Sequence, residues 1–131
     1  MSNSRSTFVY RNYPLVPIRL CYKSRRTPVI DALLDSGGDF IVIPSAIAKY
    51  LDVEVKKAGS VDTAGGTTYL FKTNIDLIMG YRNNEIAYKN LEIFVADRDD
   101  IPVLIGRKPF FEDYEITFRK HKQELILNKI N

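Results

Sequence analysis

The chain has 131 residues and a mass of 15.0 kDa, the size of one domain, and can bury roughly two-thirds of its unfolded surface without a disulfide or metal. Apolar residues at 45% and charged residues at 27% exclude a disordered chain, and the longest apolar runs, such as Phe40–Ile43, fall far short of the roughly 20 residues that span a bilayer. A net charge of +3 spreads 19 bases among 16 acids, which permits nucleic-acid binding without arguing for it.

The first residues, 1–6, read as a flexible polar tail with no apolar leader segment. Val16, Ile18, Leu20 and Tyr22 then alternate with polar or small residues, the period of a half-buried strand. A basic turn, Lys23 to Thr27, leads through Pro28 into a strand from Val29 to Leu34. That strand stops at Asp35-Ser36-Gly37-Gly38, where the paired glycines allow backbone conformations closed to other residues. Phe40 to Ile43 reads as a short buried strand ended by Pro44, and Ser45 as the cap of a helix over Ala46–Leu51.

Val53 and Val55 start an alternating strand. A long hairpin follows with its turn at Gly65-Gly66, Val61–Ala64 on one arm and Thr67–Lys72 on the other. Ile75, Leu77 and Met79 lead to a turn over 80–84, and Glu85–Ala96 returns as a strand. Pro109 suits the first turn of a short helix ending near Asp113, and a self-contained hairpin pairs Glu115–Arg119 with Glu124–Leu127. Eight to ten short strands with two short helices make an all-β fold, a barrel or sandwich with Gly-rich turns. Residues 7–131 form its one domain.

The chemistry-bearing stretch is Ala32-Leu33-Leu34-Asp35-Ser36-Gly37-Gly38-Asp39. Its carboxylate leaves the end of a buried strand and enters a tight turn at the edge of the core, where burial and hydrogen bonds act on an acid. Taken alone, Asp-Ser-Gly-Gly reads as a plain turn between strands, since Asp, Ser and Gly are the commonest turn residues. His121 falls among polar turn residues and reads as solvated. Cys21 alternates within a strand and reads as a small core residue. One Cys and one His give no disulfide and no zinc set, so no metal and no cofactor are expected. The composition fits a soluble cytoplasmic protein without a membrane or nucleic-acid partner.

In context, the segment resembles the active-site signature of retropepsin-like aspartic proteases: two apolar residues, Asp, Ser or Thr, then Gly. Far downstream, Val103-Leu104-Ile105-Gly106-Arg107 resembles the family's second signature, and the Gly65-Gly66 hairpin lies between them, where the family carries its flap. The resemblance covers residues 14–127. It implies a closed barrel-like retropepsin fold with a flap hairpin and one or two short helices. It also implies an aspartic endopeptidase, with Asp35, Ser36 and Gly37 as catalytic-loop residues. Gly38, Asp39, Thr63, Ala64, Gly65 and Gly66 would then meet a peptide or protein substrate, with Gly106 and Arg107 as structural support. The resemblance further pairs Asp39 with Arg107, a pair costly to break if it is buried.

Two carboxylates are required, and this chain carries one usable motif, because Ala64 stands where Asp62-Thr63-Ala64 would need Gly. The resemblance therefore implies a homodimer with one Asp35 from each subunit. The family usually has Ala, Ser or Thr where Gly38 stands, and interleaves its termini where this chain shows a self-contained hairpin. Those departures leave a second reading open, a non-proteolytic retropepsin-fold module for dimerisation or peptide binding. A basic nucleic-acid-binding barrel is the third, with only fragments of the needed aromatic and basic face at Tyr69, Phe71, Lys72, Tyr81 and Arg82.

Overall fold

Alternation of apolar and polar side chains closes this chain on itself. A computed structural model describes residues 5–64, 66–81 and 84–130. Strand β2 (Leu15–Tyr22) buries Val16, Ile18 and Leu20 and turns Leu15, Pro17 and Arg19 outward. The same period runs through β4 (Ile30–Leu34) and the long strands β7 (Gly66–Met79) and β8 (Ile86–Ala96). With β5 (Val42–Pro44) and β9 (Val103–Ile105) they form the order β2-β4-β9-β5-β8-β7, and β7 pairs back onto β2. The result is the expected closed barrel, of six strands, filled by Val16, Ile18, Ala32, Ile43, Leu77, Ile93 and Ile105. Closure leaves these six strands with no free edge.

Two further strands lie outside the ring: β3 (Arg25–Arg26) on β2, and β6 (Lys56–Thr63) on β7. Residues Gly66–Tyr69 of β7 pair with β6 alone, and pairing with β8 begins at Leu70. The hairpin therefore runs out from the barrel as a two-stranded arm, with Gly66 at its turn at φ +115°, a conformation that favours glycine.

A second sheet has the order β1-β11-β10, with β1 (Arg5–Val9), β10 (Tyr114–Arg119) and β11 (Glu124–Lys129). This corrects two expectations. The closing hairpin is not self-contained, because β1 pairs along β11 from Arg5–Asn128 to Val9–Glu124. Arg5 and Ser6, expected in the tail, belong to that strand, with Ser6 only 3% exposed. The rest of the expected tail, 1–4, lies outside the described residues. Phe8, Leu125 and Leu127 face the barrel and join its core. The sheet is fastened at Asp113, whose side chain accepts the Tyr88 hydroxyl proton at 2.7 Å and whose carbonyl accepts from Ile130 N–H. Burial and this carboxylate push the Tyr88 phenol far above its usual range.

Helix α1 (Ser45–Leu51) differs at its start. Pro44 occupies the cap position, and Ser45 does not cap the helix. Asp99, from the loop before β9, accepts from Ala46 N–H at 2.7 Å and from the Ser45 hydroxyl at 2.9 Å. Asp52 at φ 55° then ends the helix, and Val53 N–H turns back to Ala48 O, so Val53 and Val55 stay outside the strand expected there. The two bonds hold the Asp99 carboxyl below its ordinary value of 3.8. A depressed folded-state pKa contributes stability that is present above that ordinary value and lost as pH falls through the lower one. In urea unfolding, Asp99→Ala is therefore expected to be less stable than the parent at neutral pH. The gap should persist to about pH 4 and close below it; a pH-independent gap would mean that the carboxylate charge is irrelevant to the cap.

Candidate active site

Strand β4 delivers Asp35 to the surface, and β9 holds it there. Because β9 lies between β4 and β5, parallel to one and antiparallel to the other, its C-terminal turn is enclosed by the Asp35 loop. Asp35 N–H donates to Ile105 O at 2.9 Å, and Gly106 N–H to Phe40 O at 3.1 Å. Arg107 N–H donates to Gly38 O and Lys108 N–H to Asp39 O, both at 2.8 Å. Four backbone bonds thus tie a loop without regular secondary structure to one turn, which leaves it little conformational freedom.

Within the loop, Asp35 is half-buried. Its Oδ1 accepts from Gly37 N–H at 3.0 Å, and its carbonyl accepts from Gly38 N–H at 3.2 Å. One carboxylate oxygen is therefore oriented by the backbone. A Cβ at Gly38 would stand 3.2 Å from Asp35 Oδ2, so glycine leaves room beside the second oxygen. Neither Gly37 nor Gly38 adopts a positive φ, so the loop does not use the backbone freedom that the paired glycines allow. Gly106 is the glycine that packing demands: its Cβ would come 2.4 Å from Phe40 O and 2.8 Å from Gly38 O.

The Asp39 and Arg107 side chains do form an ion pair, but they remain 64% and 55% exposed. An exposed pair is screened by water and contributes little. Arg107→Ala is accordingly expected to change the unfolding free energy of the isolated protomer by less than about 1 kcal/mol. A chemical denaturation curve checks this, and a loss of about 3 kcal/mol or more would require a buried pair. Asp39 is engaged by this guanidinium, so it is no free second acid for Asp35.

The fold brings Asp35, Ser36, Gly37, Gly38, Asp39, Gly106 and Arg107 into one cluster, with Ser36 exposed at its rim. Thr63, Ala64 and Gly66 stand instead at the end of the arm, whose strand β6 connects to β4 through β7 and β2. There Asp62 Oδ1 accepts the Thr67 hydroxyl proton at 2.9 Å, bracing the turn from one side. Gly65 lies outside the described residues. Sequence reasoning missed Phe40. Expected in a buried strand, it is 42% exposed, lies on Phe94 at 4.8 Å between ring centroids, and precedes β5 rather than starting it. The run Phe40–Ile43 is apolar throughout, so no alternation in the sequence marked Phe40 as the outward residue.

A family model described as aspartyl protease matches residues 23–108, a span that contains both the Asp35 loop and the Gly106–Arg107 turn. The fold is similar to a retropepsin-like aspartic protease from Rickettsia conorii, at 17% identity over 96% of this chain and 100% of that one, with a TM-score of 0.69. It is also similar to the retroviral protease-like domain of Ddi1 from Leishmania major, at 12% identity, 93% and 97% coverage and a TM-score of 0.59. The EIAV protease, complexed with the inhibitor HBY-793, aligns at 18% identity over 79% of this chain and 93% of that one, with a TM-score of 0.54. At these identities the likeness is one of fold, and the fold is retropepsin-like. A search of curated proteins gave no match.

Proposed function

Since this chain belongs to the aspartyl protease family, we propose that it is an endopeptidase whose active form is a homodimer, each subunit supplying one Asp35. The observation that carries this reading is the pinned loop, which presents a single oriented carboxylate while Asp39 is held by Arg107. Hydrolysis needs one carboxylate to deprotonate water and another to protonate the scissile carbonyl. As is established for aspartic proteases, two such groups about 3 Å apart share one proton because they cannot both ionise. The resulting pKa values belong to the pair.

In this reading Ser36 braces the two loops across the dimer axis and Gly37 receives substrate backbone. The arm from Val61 to Tyr69 acts as a flap, with Thr63, Ala64 and Gly66 at its tip above an extended peptide, while Gly38 and Asp39 line the floor. Backbone hydrogen bonding to an extended peptide is tolerant of sequence. A lone free cysteine, Cys21, suits a reducing cytoplasm, and among the described residues no helix is long and apolar enough to cross a membrane. The test is cleavage of a diverse peptide library by the purified protein from about pH 3 to 7. Cleavage favoured by acid supports the proposal. A folded dimer that binds peptides without cutting them would instead support a non-proteolytic module, the reading that Gly38 beside the carboxylate keeps in play.

A further inference from the structure

We propose that the free edge of β1 is a second binding site, which takes an extended segment of a partner protein carrying a lysine or arginine. The site stands apart from the reading above, because no part of it uses Asp35. Tyr10 N–H donates to Gln123 O, and this pair continues the register of β1 on β11, so Tyr10, Phe8 and Ser6 turn their backbone groups toward β11. Arg5, Thr7 and Val9 turn theirs the other way. The Asn84 side chain marks the same direction, since its Nδ2 donates to Thr7 O at 3.2 Å. No strand pairs with β1 on that side, and among the described residues Thr7 N–H, Val9 N–H and Val9 C=O meet no partner. Such a row is a template for one more strand.

The row opens into a groove of about 540 Å³, the volume of a ligand site. Its far wall is the outward face of β2, half-buried Leu15 and Pro17, with Asp31 of β4 standing opposite Pro17. Gly80 N–H donates to Pro17 O, which brings the turn carrying Tyr81 and Asn84 to this wall. A strand laid on β1 would accept from Thr7 N–H and Val9 N–H and donate to Val9 C=O. Its alternate side chains would cover Leu15 and Pro17, where apolar groups gain by leaving water. Charge names the remaining contact. Asp31 is exposed and has no ion-pair partner among the described residues, and the exposed ring of Tyr81 lines the same groove. A carboxylate with an aromatic face nearby suits a cation. Arg11, the groove's own cation, lies four residues past Thr7 and repels a positive charge there, which leaves the Asp31 end for the basic side chain. Asp31 precedes Asp35 by four residues, about 13 Å of extended chain, so the segment held here is not the one at the catalytic carboxylate.

The test is fluorescence anisotropy of a labelled hexapeptide that alternates valine with threonine and carries one lysine, titrated with Asp35→Asn protein so that nothing is cut. Exchanging the lysine for glutamate is expected to weaken binding about 3- to 10-fold, and Asp31→Lys to reverse that preference. Val9→Pro removes an edge donor that the β11 ladder does not use, and should weaken binding by about 3- to 10-fold. Asp31→Lys, at an exposed position, keeps the test decisive if Val9→Pro fails to fold. Binding that neither variant alters overturns the proposal and puts the peptide elsewhere, the Asp35 cleft included. Absence of binding overturns it as well, even if the parent cleaves other peptides robustly. Self-association in sedimentation velocity that Val9→Pro abolishes would mean that a second copy takes the edge, and overturns the partner assigned here. Charge-dependent binding by a protein that never cleaves upholds the site and overturns the protease reading.

Discussion

Replacing Asp35 by Asn is expected to lower kcat/KM for a cleavable peptide by about 10³-fold or more while leaving the fold intact. The substitution is isosteric. An amide oxygen can still accept from Gly37 N–H, which meets Asp35 Oδ1 at 3.0 Å, and the backbone bonds to Ile105 and Gly38 do not involve the side chain. What is lost is the ability to take a proton from water, and with it the pair's shared proton. Parent-like cleavage by the variant would locate the chemistry elsewhere or in a contaminant.

The same variant tests the assembly. If one Asp35 from each subunit is needed, mixing parent protein with a ninefold excess of Asp35→Asn and letting subunits exchange leaves each parent subunit with a parent partner about one time in ten. Activity should then fall to about one-tenth of the unmixed value. A protomer active alone would be indifferent to the excess. The readout is independent of how tightly the variant folds, provided that both proteins are shown to exchange subunits, for instance by a fluorescence label on one of them.

The two Gly-containing signatures were legible because each marks a place where the chain has almost no choice. Asp35-Ser36-Gly37 ends a buried strand, and Ile105-Gly106-Arg107 ends the strand beside it. Local periodicity likewise found β2, β7 and β8, whose inward residues repeat every second position. Pairings between distant segments left no such trace. Nothing in the local sequence of Ser45 says that Asp99 takes over its capping role, and nothing in Arg5–Val9 names β11 as its partner. Register is a property of two strands together, so the insertion of β9 between β4 and β5 could be seen only once the barrel had closed. Even the Asp39–Arg107 pair was legible as a pair but not as an exposed one, and exposure decides its energetic weight.

Gly37 and Gly106 look alike in sequence, each the glycine of a signature, yet their substitution by Ala is expected to differ by several-fold in cost. At Gly37 an added Cβ would meet Asp35 Oδ1 at 3.4 Å, ordinary van der Waals contact, on an exposed loop position. Gly37→Ala should shift the unfolding free energy by no more than about 1 kcal/mol. At Gly106 the added atom would stand 2.4 Å from Phe40 O, 2.7 Å from Phe40 N and 2.8 Å from Gly38 O, all of them backbone atoms that cannot rotate away. Relief requires β9 to part from the loop, which breaks the bonds from Asp35 N–H to Ile105 O and from Gly106 N–H to Phe40 O. Gly106→Ala is therefore expected to cost about 3 kcal/mol or more, read from paired urea melts. Whatever fraction still folds should cleave poorly, because the carboxylate is no longer held in position. Equal and small costs at both glycines would mean that the loop yields readily around β9, and the rigid support assigned to Asp35 would have to be abandoned.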